Sequence, residues 1–255
     1  MLPHEKVTAA IVQAKQEGRT ALVPFLTAGY PEPSGFVSTL RDIAAVSDVV
    51  EIGVPFSDPM ADGMTIQRSS FAAIKRGVTL RWIFSELGTA EVSTPLVMMS
   101  YVNPLLAFGF EALAKRAAAS GVCAFIVPDL PFEESAELRE ALEREGLGLI
   151  QLITPATPLP RVRTLAGASK GFVYAVTIKG ITGGARGLPD NLARYLDDVA
   201  AASDLPVCAG FGIRTAEDVR DVGRHAAGAI VGSALVEVLE RGEDAARYLQ
   251  SLAKA

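Results

Sequence analysis

The sequence predicts a (β/α)8 TIM barrel: one domain over residues 1–255, with an extra N-terminal helix and a short helix after the eighth strand. Three observations predict it. Eight short apolar or β-branched runs recur along the 255 residues. Most of them lack two-residue alternation, as strands buried on both faces of a parallel sheet do. Helical patterns lie between them. A doubly wound open sheet is the alternative, and strand number and length favour the barrel.

The elements follow in order. The opening "MLPHEKVTAAIVQAKQEG" carries charges every few residues and no apolar core region, so it is a helix region and not a signal peptide. Strand 1 is "ALVPFL" (21–26). In "PSGFVSTLRDIAAV", Phe36, Leu40 and Ile43 fall at i, i+4, i+7 on one helix face. Strands 2 and 3 are "DVVEIG" (48–53) and "PLVMMS" (95–100). The most apolar window, "PLVMMSYVNPLLAFGF", is broken at Asn103-Pro104 and too short for a bilayer; it reads as a strand and then a loop. Strand 4 is "VCAFIV" (122–127), followed by a helix in which Leu138 and Leu142 face one way and Gly146 ends the run. Strands 5, 6 and 7 are "GLGLIQLI" (146–153), "GFVYAVT" (171–177) and "LPVCAG" (205–210). Thr215 and Asp218 then open a helix with a capping-box pattern. Strand 8 is "AGAIVG" (227–232), and "GEDAARYLQSLAKA" is a last helix, giving about eight intervening or closing helices.

Composition sets the function classes. The chain is 49% hydrophobic and 21% charged, enough for a large core and unlike a disordered chain. A net charge of −5 offers no basic field for nucleic acid or an anionic membrane. A soluble cytoplasmic protein is expected. Cys123 and Cys208 sit inside apolar runs as small hydrophobes, with neither metal-ligand spacing nor a disulfide framework. The only histidines, His4 and His225, fall away from the strand ends that carry barrel active sites. A Ser-His-Asp triad and a histidine-bound metal are therefore not expected.

Those strand ends hold two signals. The first is acidic. Glu51 ends strand 2, on the same side as Val49 and opposite Val50 and Ile52. A carboxyl on the barrel interior loses water, which raises its pKa from about 4.3 toward neutrality and lets it give and take a proton. The alternative is a salt bridge inside the barrel, but Lys179 and Arg186 are the only basic residues read at strand ends. Asp62 lies eleven residues on, in "ADG", and spacing alone favours a turn residue there. Asp58, in "SDP", shares that ambiguity. The second signal is glycine after three successive strands: "KGITGGARG" (179–187), "GFG" (210–212) and "GSA" (232–234). Barrels use such loops, with a short helix N-terminus, to bind phosphate. The residues alone point to a barrel that binds a phosphorylated small molecule and moves a proton, as in an isomerisation or a carbon–carbon cleavage.

The stretch "EIGVPFSDPMADGMTIQ" closely resembles the signature of the tryptophan synthase alpha subunit family. "LVPFLTAGYP", "VPDLPFEES", "GFVYAVTIKGITG" and "AGFGI" match in the same order, so the resemblance runs over almost the whole chain. It implies retro-aldol cleavage of indole-3-glycerol phosphate to indole and glyceraldehyde 3-phosphate. It implies Glu51 as the acid–base residue, Asp62 as the partner of the indole N–H and Tyr174 as a third site residue near Glu51. It aligns Gly183, Gly212, Gly232 and Ser233 with a phosphate cradle, making the helix after strand 8 a phosphate-binding one. Phe25, Met99, Tyr101, Ile126 and Phe211 match the indole pocket, with Met99 where leucine is common, a volume-conserving change. Thr182 matches a threonine of a mobile lid after strand 6. Pro55, Asp58 and Asn103 resemble contacts to a beta subunit in an alpha2beta2 complex. Pyridoxal phosphate is expected in that partner and no cofactor in this chain. A stand-alone lyase, a silent activator of a beta subunit and a sugar-phosphate isomerase are the other readings. Intact Glu51 and Asp62 argue against the silent activator, and "PFSDPMADG" argues against the isomerase.

Overall fold

The computed structural model describes residues 1–176, 190–210 and 212–253. Eight parallel strands close a barrel in chain order: β1 (Ala21–Thr27), β2 (Val50–Gly53), β3 (Leu96–Met99), β4 (Val122–Ile126), β5 (Gly148–Ile153), β6 (Val173–Val176), β7 (Val207–Gly210) and β8 (Gly228–Val231). The seam between β8 and β1 runs from Ala21↔Gly228 to Pro24↔Val231. Each strand lies within the run that predicts it, β1 extending one residue further. Asp48 drops out of β2 because its carboxylate works elsewhere: it accepts the Leu22 N–H and pairs with Arg19.

The described residues hold twelve α-helices, more than the eight or so expected. These are α1 (Pro3–Gln16), α2 (Phe36–Ala44), α3 (Met64–Lys75), α4 (Leu80–Ala90), α5 (Val102–Phe108), α6 (Phe110–Ala119), α7 (Ala136–Arg144), α8 (Leu159–Ala168), α9 (Asp190–Ala201), α10 (Ala216–Gly223), α11 (Ser233–Glu240) and α12 (Ala245–Ala253). The connections after β2, β3 and β8 each carry two. The loop expected at Asn103-Pro104 is in fact α5. Pro104 sits in its first turn, where a helix has no use for the missing N–H. The free N–H of Val102 at that end is taken by Asp129 Oδ1 at 2.9 Å.

Strand residues alternate between two apolar layers. Val50, Ile52, Leu96 and Met98 face outward and pack with Leu40, Ile43 and Phe84 of the surrounding helices. Val23, Val49, Val97, Ile126 and Ile150 face inward. The inner layer also contains Val7, Ile11 and Ala14, all fully buried, at i, i+4, i+7 of α1. This helix therefore closes the N-terminal end of the barrel. Burying Val7 and Ile11 contributes roughly 1.5–3 kcal/mol each. Thr8 Oγ1 donates to the Gly171 carbonyl at 2.6 Å and His4 Nδ1 to that of Gly146 at 2.9 Å, fixing α1 to the loops before β5 and β6. His225 contacts Asp197 of α9 at 2.9 Å, so both histidines lie away from the barrel mouth. Thr215 and Asp218 form the capping box that starts α10. Among the described residues no helix is long and apolar enough to cross a membrane.

Candidate active site

Strand alternation puts Glu51 among inward residues, beside Phe25 on β1 and Val97 on β3. It is 1% exposed. No lysine or arginine pairs with it among the described residues, which removes the internal salt bridge as its explanation there. Its Oε2 is the only buried side-chain nitrogen or oxygen among the described residues without a hydrogen-bond partner. Burial, and then the charge of Asp62, push its pKa up to about 8. At neutral pH the carboxyl keeps its proton, unlike an ordinary glutamate.

Asp62 reaches the same mouth through a folded-back loop. The Asp62 N–H donates to the Pro59 carbonyl at 3.4 Å, and Gln67 in the first turn of α3 donates to the Asp62 carbonyl at 2.8 Å. The Ala61 N–H donates to the Tyr101 hydroxyl at 2.9 Å. Phe56 stacks on the Tyr101 ring, with centroids 5.0 Å apart and planes 25° apart. Tyr101 thus stands behind the loop as its anchor, and is absent from the residues that wall the cavity. Burial raises the Asp62 pKa, and its hydrogen bond with the Tyr101 hydroxyl opposes that rise. Burial chiefly, and Asp62 next, keep Tyr101 protonated.

Tyr174 on β6 faces the same space. Burial and the nearby Glu51 charge raise its pKa well above the ordinary value. Its hydroxyl lies over Gly210, where a Cβ would sit 2.7 Å from the hydroxyl oxygen. Phe25 lies over Gly53 in the same way, its ring tip 2.2 Å from where a Cβ would be. Both glycines let an aromatic ring rest directly on backbone.

Glu51, Asp62, Tyr174, Phe25 and Gly210 line one cavity of about 270 Å3 at the C-terminal ends of the strands. Glu51, Asp62 and Tyr174 occupy one part. Phe25, Met99, Ile126, Leu152 and Ile230 supply apolar walls. Gly212, Arg214, Gly232, Ser233 and Ala234 line the rest, from the loop after β7 and the start of α11. Gly212 has φ +35°, a left-handed conformation suited to glycine. The first residues of α11 bring free amides and the positive end of a helix dipole to the cavity. Pro55 is half-buried and Asp58 and Asn103 are exposed, outside the residues that line the cavity. Thr182, Gly183 and Phe211 lie outside the described residues, as do Lys179 and Arg186.

Several lining residues escape the sequence reading, among them Leu152, Ile230 and Arg214. Leu152 shares the inward parity of Ile150, so strand alternation contained the signal. Arg214 follows the "GFG" stretch by two residues, and nothing in the local sequence distinguishes it from an ordinary surface arginine. It is also a basic residue at a strand end, beyond the two read from the sequence. Among the described residues no group of three His, Cys, Asp or Glu side chains could hold a metal ion.

Residues 11–255 match the family model described as tryptophan synthase alpha chain. The tryptophan synthase alpha chain of Roseiflexus castenholzii is 42% identical over 251 residues, covering 95% of both chains. That of Desulfovibrio desulfuricans is 42% identical over 253 residues, covering 97% of this chain and 98% of the other. Among solved structures, a chain of Mycobacterium tuberculosis tryptophan synthase superposes with TM-score 0.89 at 32% identity, covering 97% of this chain and 96% of the other. The alpha chain of Legionella pneumophila superposes with TM-score 0.88 at 28% identity, over 100% of this chain and 97% of the other.

Proposed function

Because the chain belongs to the tryptophan synthase alpha chain family, we propose that it is a carbon–carbon lyase cleaving indole-3-glycerol phosphate to indole and glyceraldehyde 3-phosphate. The observation that carries this reading is Glu51: a buried carboxyl, one oxygen of which has no hydrogen-bond partner among the described residues, that holds its proton at neutral pH in a cavity shared with Asp62.

The steps follow from the two acids. Protonated Glu51 delivers its proton to C3 of the indole ring. The ring nitrogen takes up the positive charge, and the Asp62 carboxylate accepts its N–H. The emptied Glu51 carboxylate then removes the proton of the hydroxyl on the carbon attached to C3. That O–H electron pair becomes the aldehyde C=O, the C–C bond breaks and its electrons return to the ring. Neutral indole leaves and Glu51 ends protonated, ready for another cycle. Tyr174 packs beside Glu51 and helps exclude water. Phe25, Met99 and Ile126 hold the flat ring, and Tyr101 holds Asp62 in place. Gly212, Gly232 and Ser233 receive the phosphate at the opposite part of the cavity, and the family resemblance adds Gly183 as a phosphate donor and Thr182 as a lid residue.

In this reading Pro55, Asp58 and Asn103 contact a beta subunit that carries pyridoxal phosphate, in an alpha2beta2 assembly, and this chain needs no cofactor of its own. The test is indole release from indole-3-glycerol phosphate by the purified chain, with and without such a beta subunit. Slow release alone and a large rise with the partner are expected. Fast release alone would make the chain a stand-alone lyase. No release in either condition would overturn the reading.

The phosphate end has its own prediction. A Cβ at Gly232 would meet nothing within 4 Å, so Gly232→Asp introduces charge without a clash at the Cβ. Its carboxylate would face the substrate phosphate, and KM should rise about tenfold or more. Steady-state kinetics read this, and an unchanged KM would move the phosphate elsewhere.

A further inference from the structure

We propose that Glu237, on α11, is a positioning residue that ties the anion end of the cavity to the loop carrying Asp62. The inference rests on the lyase reading above. Glu237 Oε1 accepts from Thr65 Oγ1 at 3.3 Å and from Arg214 Nη2 at 3.0 Å, and its Oε2 accepts from Arg214 Nη1 at 2.7 Å. One carboxylate therefore touches two elements at once.

Each element carries part of the site. Thr65 is in the first turn of α3, three positions after Asp62, and Gln67 of the same turn holds the Asp62 carbonyl. Arg214 lines the cavity two positions after Gly212. Glu237 lies four positions after Ser233, on the same face of α11. One turn further along both helices, Arg68 and Glu240 pair at 3.0 Å and repeat the contact between α3 and α11. A shift of α11 is thereby passed to the start of α3, and so to Asp62.

Charge gives Glu237 a second consequence. Arg214 is the only cation among the cavity-lining residues described. Its bidentate pairing with Glu237 cancels that charge, leaving backbone amides and the Ser233 hydroxyl as the phosphate donors. The Arg214 backbone is held independently: its N–H donates to Asp218 at 2.9 Å and its carbonyl accepts from Tyr248 at 3.0 Å. Removing the Glu237 carboxylate frees the guanidinium without releasing the loop.

Three variants of the full chain separate the two branches, read by calorimetric binding of inorganic phosphate and by kcat for indole release. Glu237→Ala should lower kcat about tenfold, since misplacing a reacting group by about 1 Å costs up to about a hundredfold. It should also tighten phosphate binding roughly threefold, the scale of one partly exposed charge, with a steeper salt dependence. Thr65→Val should lower kcat alone. Glu237→Gln, which keeps an acceptor for Thr65, should recover most of kcat while phosphate stays tight. Glu237→Ala with wild-type kcat and phosphate affinity would overturn the proposal. So would weaker phosphate binding with kcat unchanged, which would make Glu237 a support for the loop only. Wild type that binds phosphate and releases no indole would sink the lyase reading by itself, while the phosphate arm would still test the Arg214–Glu237 pairing.

Discussion

Glu51→Gln should abolish indole release and make the folded chain more stable. The rate should fall by about a thousandfold or more, because the amide can neither deliver nor collect the proton. Substrate binding should stay largely intact, since the phosphate donors are on other strands. The stability gain follows from the same burial. Between the ordinary carboxyl value of 4.5 and about 8, the unfolded chain has released this proton and the folded chain keeps it. The folded state therefore loses ground as pH rises across that window, by an amount on the order of a few kcal/mol at its upper end. Gln has no proton to lose in either state. The variant should melt about 5 °C or more above wild type at pH 8. The difference should shrink to nothing as the pH approaches 4.5. Thermal melts across that range, paired with an indole assay, check both halves. A variant with near wild-type rate would remove Glu51 from the chemistry, and equal melting temperatures at pH 8 would remove the desolvated carboxyl. Wild-type kcat/KM should itself fall as pH rises through about 8, as Glu51 gives up its proton.

Asp62→Asn should cost about a hundredfold to a thousandfold in kcat, the range for removing one group matched to developing charge. The amide keeps the size and the loop contacts but supplies no negative charge to the cationic ring. KM should change little, because the neutral ground-state ring gains little from that charge. A second effect carries a sign. The Asp62 charge is one of the two causes that raise the Glu51 pKa. Its removal should therefore lower that pKa, leaving burial as the remaining cause. The carboxyl stretch of Glu51 in infrared difference spectra reads this directly. A change confined to KM would sink the transition-state role, and an unmoved Glu51 titration would sink the electrostatic link between the two acids.

Glu51 is the most legible site residue because it breaks a local pattern. A carboxylate in the apolar run "DVVEIG" has its direction fixed by alternation with Val49. The strands are legible for the same reason, as their cue is the composition of a few adjacent residues. Asp62 is not legible from spacing, since the path of its loop depends on the bond from Ala61 to Tyr101, forty positions further on. The Arg214–Glu237–Thr65 link is beyond local reading altogether, as Thr65 and Glu237 are 172 positions apart. The α5 helix was hidden by a general rule. Asn-Pro suggests a break, and only Asp129 of another loop shows that a helix begins there instead. The family resemblance supplied a role for Asp62 that spacing withheld.

The packing of α1 across the barrel floor has a kinetic consequence. With Val7, Ile11 and Ala14 stoppering the lower end, the barrel is, among the described residues, a cup open at the rim that holds the site. Fresh substrate, departing product and solvent all have to cross that rim, so they compete for passage. Whatever sits on the rim then sets the order of traffic and also keeps Glu51 dry, and one act of covering governs both the proton held inside and the molecules allowed through.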